Sequence, residues 1–115
     1  MINQDTMQLS QIERRVSLRI RLQERAQIGQ PGKDYHNAIS YDISESGISV
    51  KSNNYIPEKT QVNIILDHKG QPLNLEGEVM WVSGKSGSNQ YKIGIKITNP
   101  SGELTNIYNY LLRIF

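Results

Sequence analysis

Apolar and polar residues alternate with a period of two along most of this chain, and this alternation is the strongest constraint on its fold. Alternation of this kind predicts β-strands with one buried face. Clusters of Gly, Pro, Asn, Asp and Ser separate the alternating stretches, which predicts short turns between strands. The six predicted strands cover residues 16–23, 35–43, 48–51, 61–67, 73–84 and 91–98.

The period changes near the C-terminus. Apolar residues there recur at the three- and four-residue spacing that forms one stripe along an α-helix. Ser101, directly after Pro100, is the expected N-cap of this helix. The stripe consists of Leu104, Ile107, Tyr108, Leu111, Leu112 and Phe115.

The order of these elements predicts the fold class. Consecutive strands joined by tight turns pair in the antiparallel direction. Six short strands must hide their edges, and closure into a small barrel achieves this. We therefore expect a mainly all-β protein, a six-stranded antiparallel β-barrel with a C-terminal α-helix on one end or side of the barrel.

Length and composition indicate one domain. A chain of 115 residues buries one modest core. Residues 1–12 are polar and are expected to form a flexible tail, and residues 13–115 the barrel domain. Met1 and the complete predicted fold favour a stand-alone protein over an excised domain. Apolar runs are only a few residues long, the N-terminus lacks the order of a signal peptide, and there is no cysteine. A cytoplasmic protein is therefore expected.

The sequence contains no complete motif for catalysis or metal binding. Gly84-Lys85-Ser86 looks like the end of a P-loop, but the glycine required five residues earlier is Val79. His36 and His68 are far apart in sequence, and no cysteine is present to complete a zinc site. Neither a nucleophile elbow nor a serine triad is supported. The sequence predicts a protein that is not an enzyme, with no catalytic residue, no metal and no cofactor.

The arginines are concentrated near the N-terminus. Five of the six lie within twelve residues, whereas the seven lysines are scattered along the chain. The planar guanidinium suits phosphates, carboxylates and the edges of bases. Taken alone, the cluster is better explained as a solvated, charged strand that discourages aggregation. Its members are Arg14, Arg15, Arg19, Arg21 and Arg25, of which the first three form an Arg-Arg-x-x-x-Arg run.

A second run, Asp-x-Ser-x-x-Gly, is formed by Asp42, Ser44 and Gly47 at the end of the second predicted strand. Asp42 and Ser44 are two residues apart, so their side chains are expected to project from the same face. A carboxylate accepts well from the N1–H and N2–H₂ donors of guanine, and a glycine lets the chain turn sharply or a flat ligand come close. Taken alone, the run is equally compatible with an ordinary turn.

With both runs in this order, the chain resembles PilZ domains, bacterial receptors for cyclic di-GMP, over residues 13–115. The stretches around Trp81 and Gly94 resemble the late strands of that family, although an aromatic residue frequent after the glycine is absent. The resemblance implies the same barrel and helix. It further implies that Arg15 and Arg19 hold the phosphates and one guanine, that Arg14 engages the second guanine or a second ligand molecule, and that the other run contacts guanine. The implied ligand-binding residues are Arg14, Arg15, Arg19, Asp42, Ser44 and Gly47. Trp81 is expected to be mostly core.

The resemblance also implies a mechanism. The ligand would neutralise the crowded arginines and order their segment over the barrel, and an unidentified downstream effector protein would recognise the new surface. In the family, such receptors regulate motility, exopolysaccharide synthesis for biofilms, and virulence. Two alternatives remain open. One is a PilZ interaction module that binds no nucleotide. The other is a small barrel that binds single-stranded nucleic acid, which would require exposed aromatic side chains beside the arginines.

Overall fold

The computed structural model of the chain describes residues 18–84, 89–99 and 102–113. The expectations for the tail, for Arg14 and Arg15, and for Ser101 and Phe115 lie outside these residues. The strands are β1 (Ile20–Arg21), β2 (Arg25–Gly29), β3 (His36–Ile43), β4 (Gly47–Ser52), β5 (Gln61–His68), β6 (Gln71–Ser83) and β7 (Tyr91–Ile97). One helix, α1 (Glu103–Arg113), follows them.

The strands form one closed antiparallel sheet. Its order is β1-β3-β2-β5-β6-β7-β4, and β4 pairs back onto β3 to close the barrel. β1 and β2 both pair with β3, since Arg21 lies opposite Asp42 and Arg25 lies opposite Ile39. These two short strands therefore share one side of a six-stranded barrel. The predicted six-stranded antiparallel barrel with a C-terminal helix is confirmed.

The predicted bounds of the first strand were wrong. Regular pairing begins at Ile20, stops after Arg21 and resumes at Arg25. The sequence did not predict β2 as a strand, because only Ala26 and Ile28 alternate there on the buried face. A strand with two inward apolar residues, one of them small, gives a weak periodic signal.

The break between β1 and β2 is held by the side chain of Ser40. Its hydroxyl accepts a hydrogen bond from the N–H of Glu24 (2.8 Å) and donates one to the carbonyl oxygen of Leu22. The backbone N–H of Ser40 donates to the carbonyl oxygen of Glu24 at 2.8 Å. Ser40 is buried, so these bonds satisfy backbone groups that would otherwise be left without partners.

The core is built from branched aliphatic residues at alternate strand positions. Burying each such side chain stabilises the fold by about 1.5–3 kcal/mol relative to exposure. The stripe of α1 adds to this core, with Leu104 and Tyr108 buried and the other described members packed against it, as predicted. The most completely buried aliphatic residues are Ile28, Ile43, Ile48, Val50, Val62, Ile64, Leu66, Leu75, Val79 and Ile93.

Helix α1 is bonded to two parts of the barrel. The hydroxyl of Tyr108 donates a hydrogen bond to the carbonyl oxygen of Leu18 (2.9 Å), just before β1. The hydroxyl of Thr105 donates to the carbonyl oxygen of Glu45 (3.2 Å), in the turn between β3 and β4. The helix therefore joins the segment that carries Arg19 to the turn that carries the Asp-x-Ser-x-x-Gly run.

Candidate functional site

A β-bulge in β3 brings Asp42 to the outer face of the barrel. Tyr41 is an extra residue in this strand, so that Asp42 lies opposite Ser49 of β4. The extra residue reverses the alternation of the strand. Ile43 then faces the core, with no exposed surface, while Asp42 projects outward beside Ser49.

A second β-bulge, in β6, brings Trp81 to the outer face of the barrel. Met80 is the extra residue, and Trp81 lies opposite Gly94 of β7. The prediction that Trp81 is mostly core was wrong, because the bulge moves Val82 rather than Trp81 into phase with the buried positions. Trp81 is 38% exposed, and its indole lies directly over Gly94.

Asp42 is the electrostatic centre of this outer face. Its Oδ1 accepts hydrogen bonds from Nε of Arg19 (3.0 Å) and from the hydroxyl of Ser49 (2.5 Å), and Nη2 of Arg19 lies 2.9 Å away. Burial to 7% exposure raises the pKa of Asp42, but the bonds from Arg19 and Ser49 and the charges of Arg19 and Lys92 together lower the pKa below its usual value. The carboxylate is therefore ionised at neutral pH and fixes the guanidinium.

Arg19 extends from this ion pair into solvent. Its side chain is 40% exposed, and it lines a shallow depression of about 150 Å³. Gly47 of β4 and Gly94 of β7 lie at the depression, but both are buried, and the indole of Trp81 covers Gly94. The lining residues are Arg19, Ser44, Ser46, Gly47, Met80, Trp81, Gly94, Ile95 and Lys96.

Gly47 is required by strand packing rather than by a turn. Its φ is not positive, and a Cβ there would lie 2.8 Å from the carbonyl oxygen of Ile95 in the neighbouring strand. The prediction of a sharp turn at this glycine was therefore wrong. Gly47 nevertheless lines the depression. Ser44 is buried, and its N–H donates to the carbonyl oxygen of Gly47 at 2.9 Å, which closes the turn between β3 and β4.

The structure thus brings four of the six predicted site residues into one region. Arg19, Ser44 and Gly47 line the depression, and Asp42 holds Arg19 in place. Arg14 and Arg15 lie outside the described residues. Sequence reasoning missed Trp81, and the one signal that could have identified it is the large apolar pair at Met80 and Trp81, which interrupts strict alternation.

Metal-binding groups and membrane-spanning helices are two further features that bear on function. Among the described residues, no three His, Cys, Asp or Glu side chains are grouped closely enough to hold a metal ion. No helix in the part of the chain that the structure describes is long and apolar enough to cross a membrane.

Comparison with known families now identifies the chain. The family model for the PilZ domain matches residues 13–113. Because this match covers most of the sequence, the chain belongs to the PilZ domain family. No curated protein sequence matches it significantly.

Solved structures share the fold at low sequence identity. The PilZ domain of YcgR from Escherichia coli, with c-di-GMP, has a TM-score of 0.67 at 14% identity, over 88% of this chain and 90% of that one. The Bacillus subtilis inhibitor of motility, MotI/DgrA, has a TM-score of 0.66 at 17% identity, over 85% of this chain and 49% of that one. The PlzA protein of Borreliella burgdorferi, in complex with c-di-GMP, has a TM-score of 0.59 at 11% identity, over 95% of this chain and 56% of that one. This chain thus spans about half the length of the last two proteins.

Proposed function

We propose that this chain binds cyclic di-GMP on the outer face of the barrel and acts as a receptor and adaptor rather than as an enzyme. The observation that carries the proposal is the Arg19–Asp42 ion pair beside the exposed indole of Trp81. Membership of the PilZ family and the likeness to YcgR and PlzA, which were solved with c-di-GMP, support the choice of ligand.

The chemistry of the depression suits part of this ligand. Cyclic di-GMP carries two phosphates and two guanines. Arg19 would bind phosphate or the O6/N7 edge of a guanine, and Asp42 and Ser44 would accept from the donors of that guanine. The exposed face of Trp81 would provide a stacking surface for a purine.

The size of the depression indicates that the described residues form only part of the site. Its volume of about 150 Å³ is below the 300 Å³ or more typical of pockets for drug-sized ligands. Arg14 and Arg15 lie five and four residues before Arg19 in sequence, close enough for a chain segment to fold over a ligand bound there. Arg14 and Arg15 would thus complete the site on the side of the ligand that faces away from the barrel.

The arginine segment would also act as a switch. Arg14, Arg15, Arg19 and Arg21 are close together in sequence, and their mutual repulsion would disfavour a closed segment in the absence of an anion. The dianionic ligand would neutralise them and order the segment, and a downstream effector protein would bind the reordered surface. By likeness to the Bacillus subtilis inhibitor of motility, motility is the first process in which to seek that effector.

Isothermal titration calorimetry on the chain of residues 1–115 tests the ligand. Cyclic di-GMP should bind, while cyclic di-AMP, GTP and a single-stranded oligonucleotide should bind weakly or not at all. The measured stoichiometry separates one ligand molecule per site from two. Binding of the oligonucleotide alone would support the nucleic-acid alternative, and no binding of any of the four would support an interaction module without a nucleotide.

Substitutions test the residues. Arg15→Ala and Asp42→Ala should each remove charge-assisted hydrogen bonds worth about 1.5–3 kcal/mol, a loss of roughly tenfold to more than a hundredfold in affinity. Arg25→Ala is the matched control, because Arg25 is exposed on β2 and does not line the depression. Unchanged affinity in both Arg15→Ala and Asp42→Ala would overturn the assignment. Salt should weaken binding only gently, since just two phosphates are engaged.

A further inference from the structure

Three cationic side chains converge on the ring of Tyr41, the extra residue of the bulge in β3. Cζ of Arg21 lies 4.0 Å from the ring centre, Nζ of Lys92 lies 3.5 Å from it, and Nζ of Lys51 lies 4.8 Å from it. The residues belong to β1, β4 and β7, so the cluster depends on barrel closure and not on one stretch of sequence. We call Arg21, Tyr41, Lys51 and Lys92 the Tyr41 cluster.

The positive charge of the Tyr41 cluster is not balanced locally. Within residues 18–84, 89–99 and 102–113, no carboxylate lies within ion-pair distance of its three cations. The positive charge of Lys92 lowers the pKa of Asp42, but Oδ1 of Asp42 already accepts hydrogen bonds from Arg19 and Ser49. Each charge lies within 4.8 Å of one ring centre, so any two are at most about 9 Å apart, close to one Debye length at physiological salt. The repulsion between them would be relieved by an anionic group.

An exposed apolar side chain adjoins this charge. Ile39 is 46% exposed and lies opposite Lys51 in the pairing of β3 with β4. A depression of about 330 Å³ opens beside it, with Ile39, Tyr41 and Lys51 among its lining residues. On the neighbouring strand β2, Arg25 lies opposite Ile39. Arg25 and Asp67 line another depression together, so the surface on that side carries both charges. The patch is therefore basic, carries one exposed aliphatic side chain at Ile39, and is bordered by mixed charge on the side of Arg25.

We propose that the Tyr41 cluster and Ile39 form the docking surface for an acidic segment of a partner protein, one that carries an apolar side chain for the depression. Charge complementarity indicates an anionic partner. A nucleobase is disfavoured, because the cations crowd the aromatic ring on which it would stack. An exposed isoleucine beside a depression favours a polypeptide over a small anion, since it offers apolar area that phosphate does not use.

This surface lies next to the proposed ligand site. Arg21 lies opposite Asp42 in the β1–β3 pairing, and Asp42 binds Arg19. The inference rests on the proposed function only in taking the partner to be the downstream effector. A partner bound at the Tyr41 cluster would therefore lie beside the Arg19–Asp42 ion pair.

Fluorescence anisotropy of labelled peptides, with the chain of residues 1–115, tests the surface. The probe is a short synthetic peptide that alternates glutamate with leucine, and its controls replace every glutamate by glutamine or every leucine by serine. The double variant Lys51→Gln, Lys92→Gln should weaken binding of the probe about tenfold, which corresponds to about 1.4 kcal/mol. Ile39→Asn should weaken binding of the leucine probe but not of the serine peptide. The matched control is Lys33→Gln, Lys69→Gln, which removes two lysines from exposed turns.

The outcomes separate this inference from the proposed function. Equal losses in the two double variants, equal binding of the leucine and serine peptides, or no binding of the probe would each overturn the docking surface. So would displacement of the probe by inorganic phosphate at matched ionic strength. A parallel titration of Lys51→Gln with cyclic di-GMP should show affinity within about threefold of the parent, because Lys51 is not among the charges that act on Asp42. If cyclic di-GMP binds but the probe does not, only the docking surface fails; if the probe binds but cyclic di-GMP does not, only the ligand assignment fails.

Discussion

The indole of Trp81 occupies the space that a side chain on Gly94 would need. A Cβ built on Gly94 would lie 2.1 Å from both Cε2 and Nε1 of the indole, far inside van der Waals contact. The two residues lie opposite each other in β6 and β7, next to the bulge at Met80. The absence of a side chain on Gly94 therefore determines where the aromatic surface beside Arg19 can lie.

The first prediction follows from this contact. Gly94→Ala should displace the indole from the depression, shift the emission of this sole tryptophan and weaken binding of cyclic di-GMP by about tenfold. Gly77→Ala is the matched control, because a Cβ there would meet Ile95 and Lys96 on the same pair of strands without touching the indole. Both variants should lose stability, but only Gly94→Ala should change the emission. An unchanged emission spectrum in Gly94→Ala would contradict the contact.

The second prediction concerns Asp42 and pH. Burial raises the pKa of Asp42 in the folded protein, but the hydrogen bonds from Arg19 and Ser49 and the charges of Arg19 and Lys92 together lower it below its usual value. A lowered pKa contributes stability above the unfolded value of about 3.9, and this contribution is lost as the pH falls through the folded value. Asp42→Asn should therefore be less stable than the parent at pH 7, by about 1–3 kcal/mol, and the gap should narrow below about pH 4.

Urea unfolding at neutral and acid pH measures this gap. Asp67→Asn is the control for the loss of one negative charge, since Asp67 is exposed and has no ion pair among the described residues. A gap between parent and Asp42→Asn that stays constant from pH 7 to about pH 3 would show that the ionised carboxylate contributes nothing to stability.

The alternation of apolar residues predicted the barrel and the helix because both depend on which faces are buried. It could not predict the outward positions of Asp42 and Trp81. Each depends on one extra residue, Tyr41 or Met80, whose insertion is settled by pairing with a distant strand. Strict alternation assigned Trp81 to the core for this reason.

The sequence predicted which residues belong to the site better than it predicted how those residues are arranged. Arg19, Ser44 and Gly47 were selected because the two runs that contain them together resemble PilZ domains, and the fold brings the three residues to one depression. The sharp turn expected at Gly47 was wrong, however, because the contact that excludes a side chain there comes from Ile95 in β7. Contacts between strands that are far apart in sequence leave no local pattern.

The third prediction concerns the link between α1 and the arginine segment. The hydroxyl of Tyr108 donates to the carbonyl oxygen of Leu18, the residue before Arg19. Tyr108→Phe should remove this bond at a cost of about 0.5–1.5 kcal/mol and loosen the segment that carries Arg19. Thermal unfolding and ligand titration should therefore both report a loss. Tyr110→Phe is the matched control, since Tyr110 is 52% exposed on the same helix. Equal effects of the two substitutions would show that the bond does not hold the segment.

The fourth prediction concerns Ser40, whose hydroxyl holds the break between β1 and β2. Ser40→Ala would leave the N–H of Glu24 and the carbonyl oxygen of Leu22 without this partner in a partly buried place, at a cost of about 1–3 kcal/mol. Ser83→Ala is the control, since Ser83 is exposed at the end of β6, and it should change stability by less than about 0.5 kcal/mol.

Loss of the Ser40 hydroxyl should also affect the site, because the break sets the register that places Arg21 opposite Asp42. A straightened strand would shift Arg19 and Arg21 relative to the carboxylate and weaken binding of cyclic di-GMP. Ser40→Thr keeps a hydroxyl and should restore part of both the stability and the affinity. If Ser40→Ala lowers stability while ligand affinity stays at the parent value, the break contributes to folding but does not position the arginines.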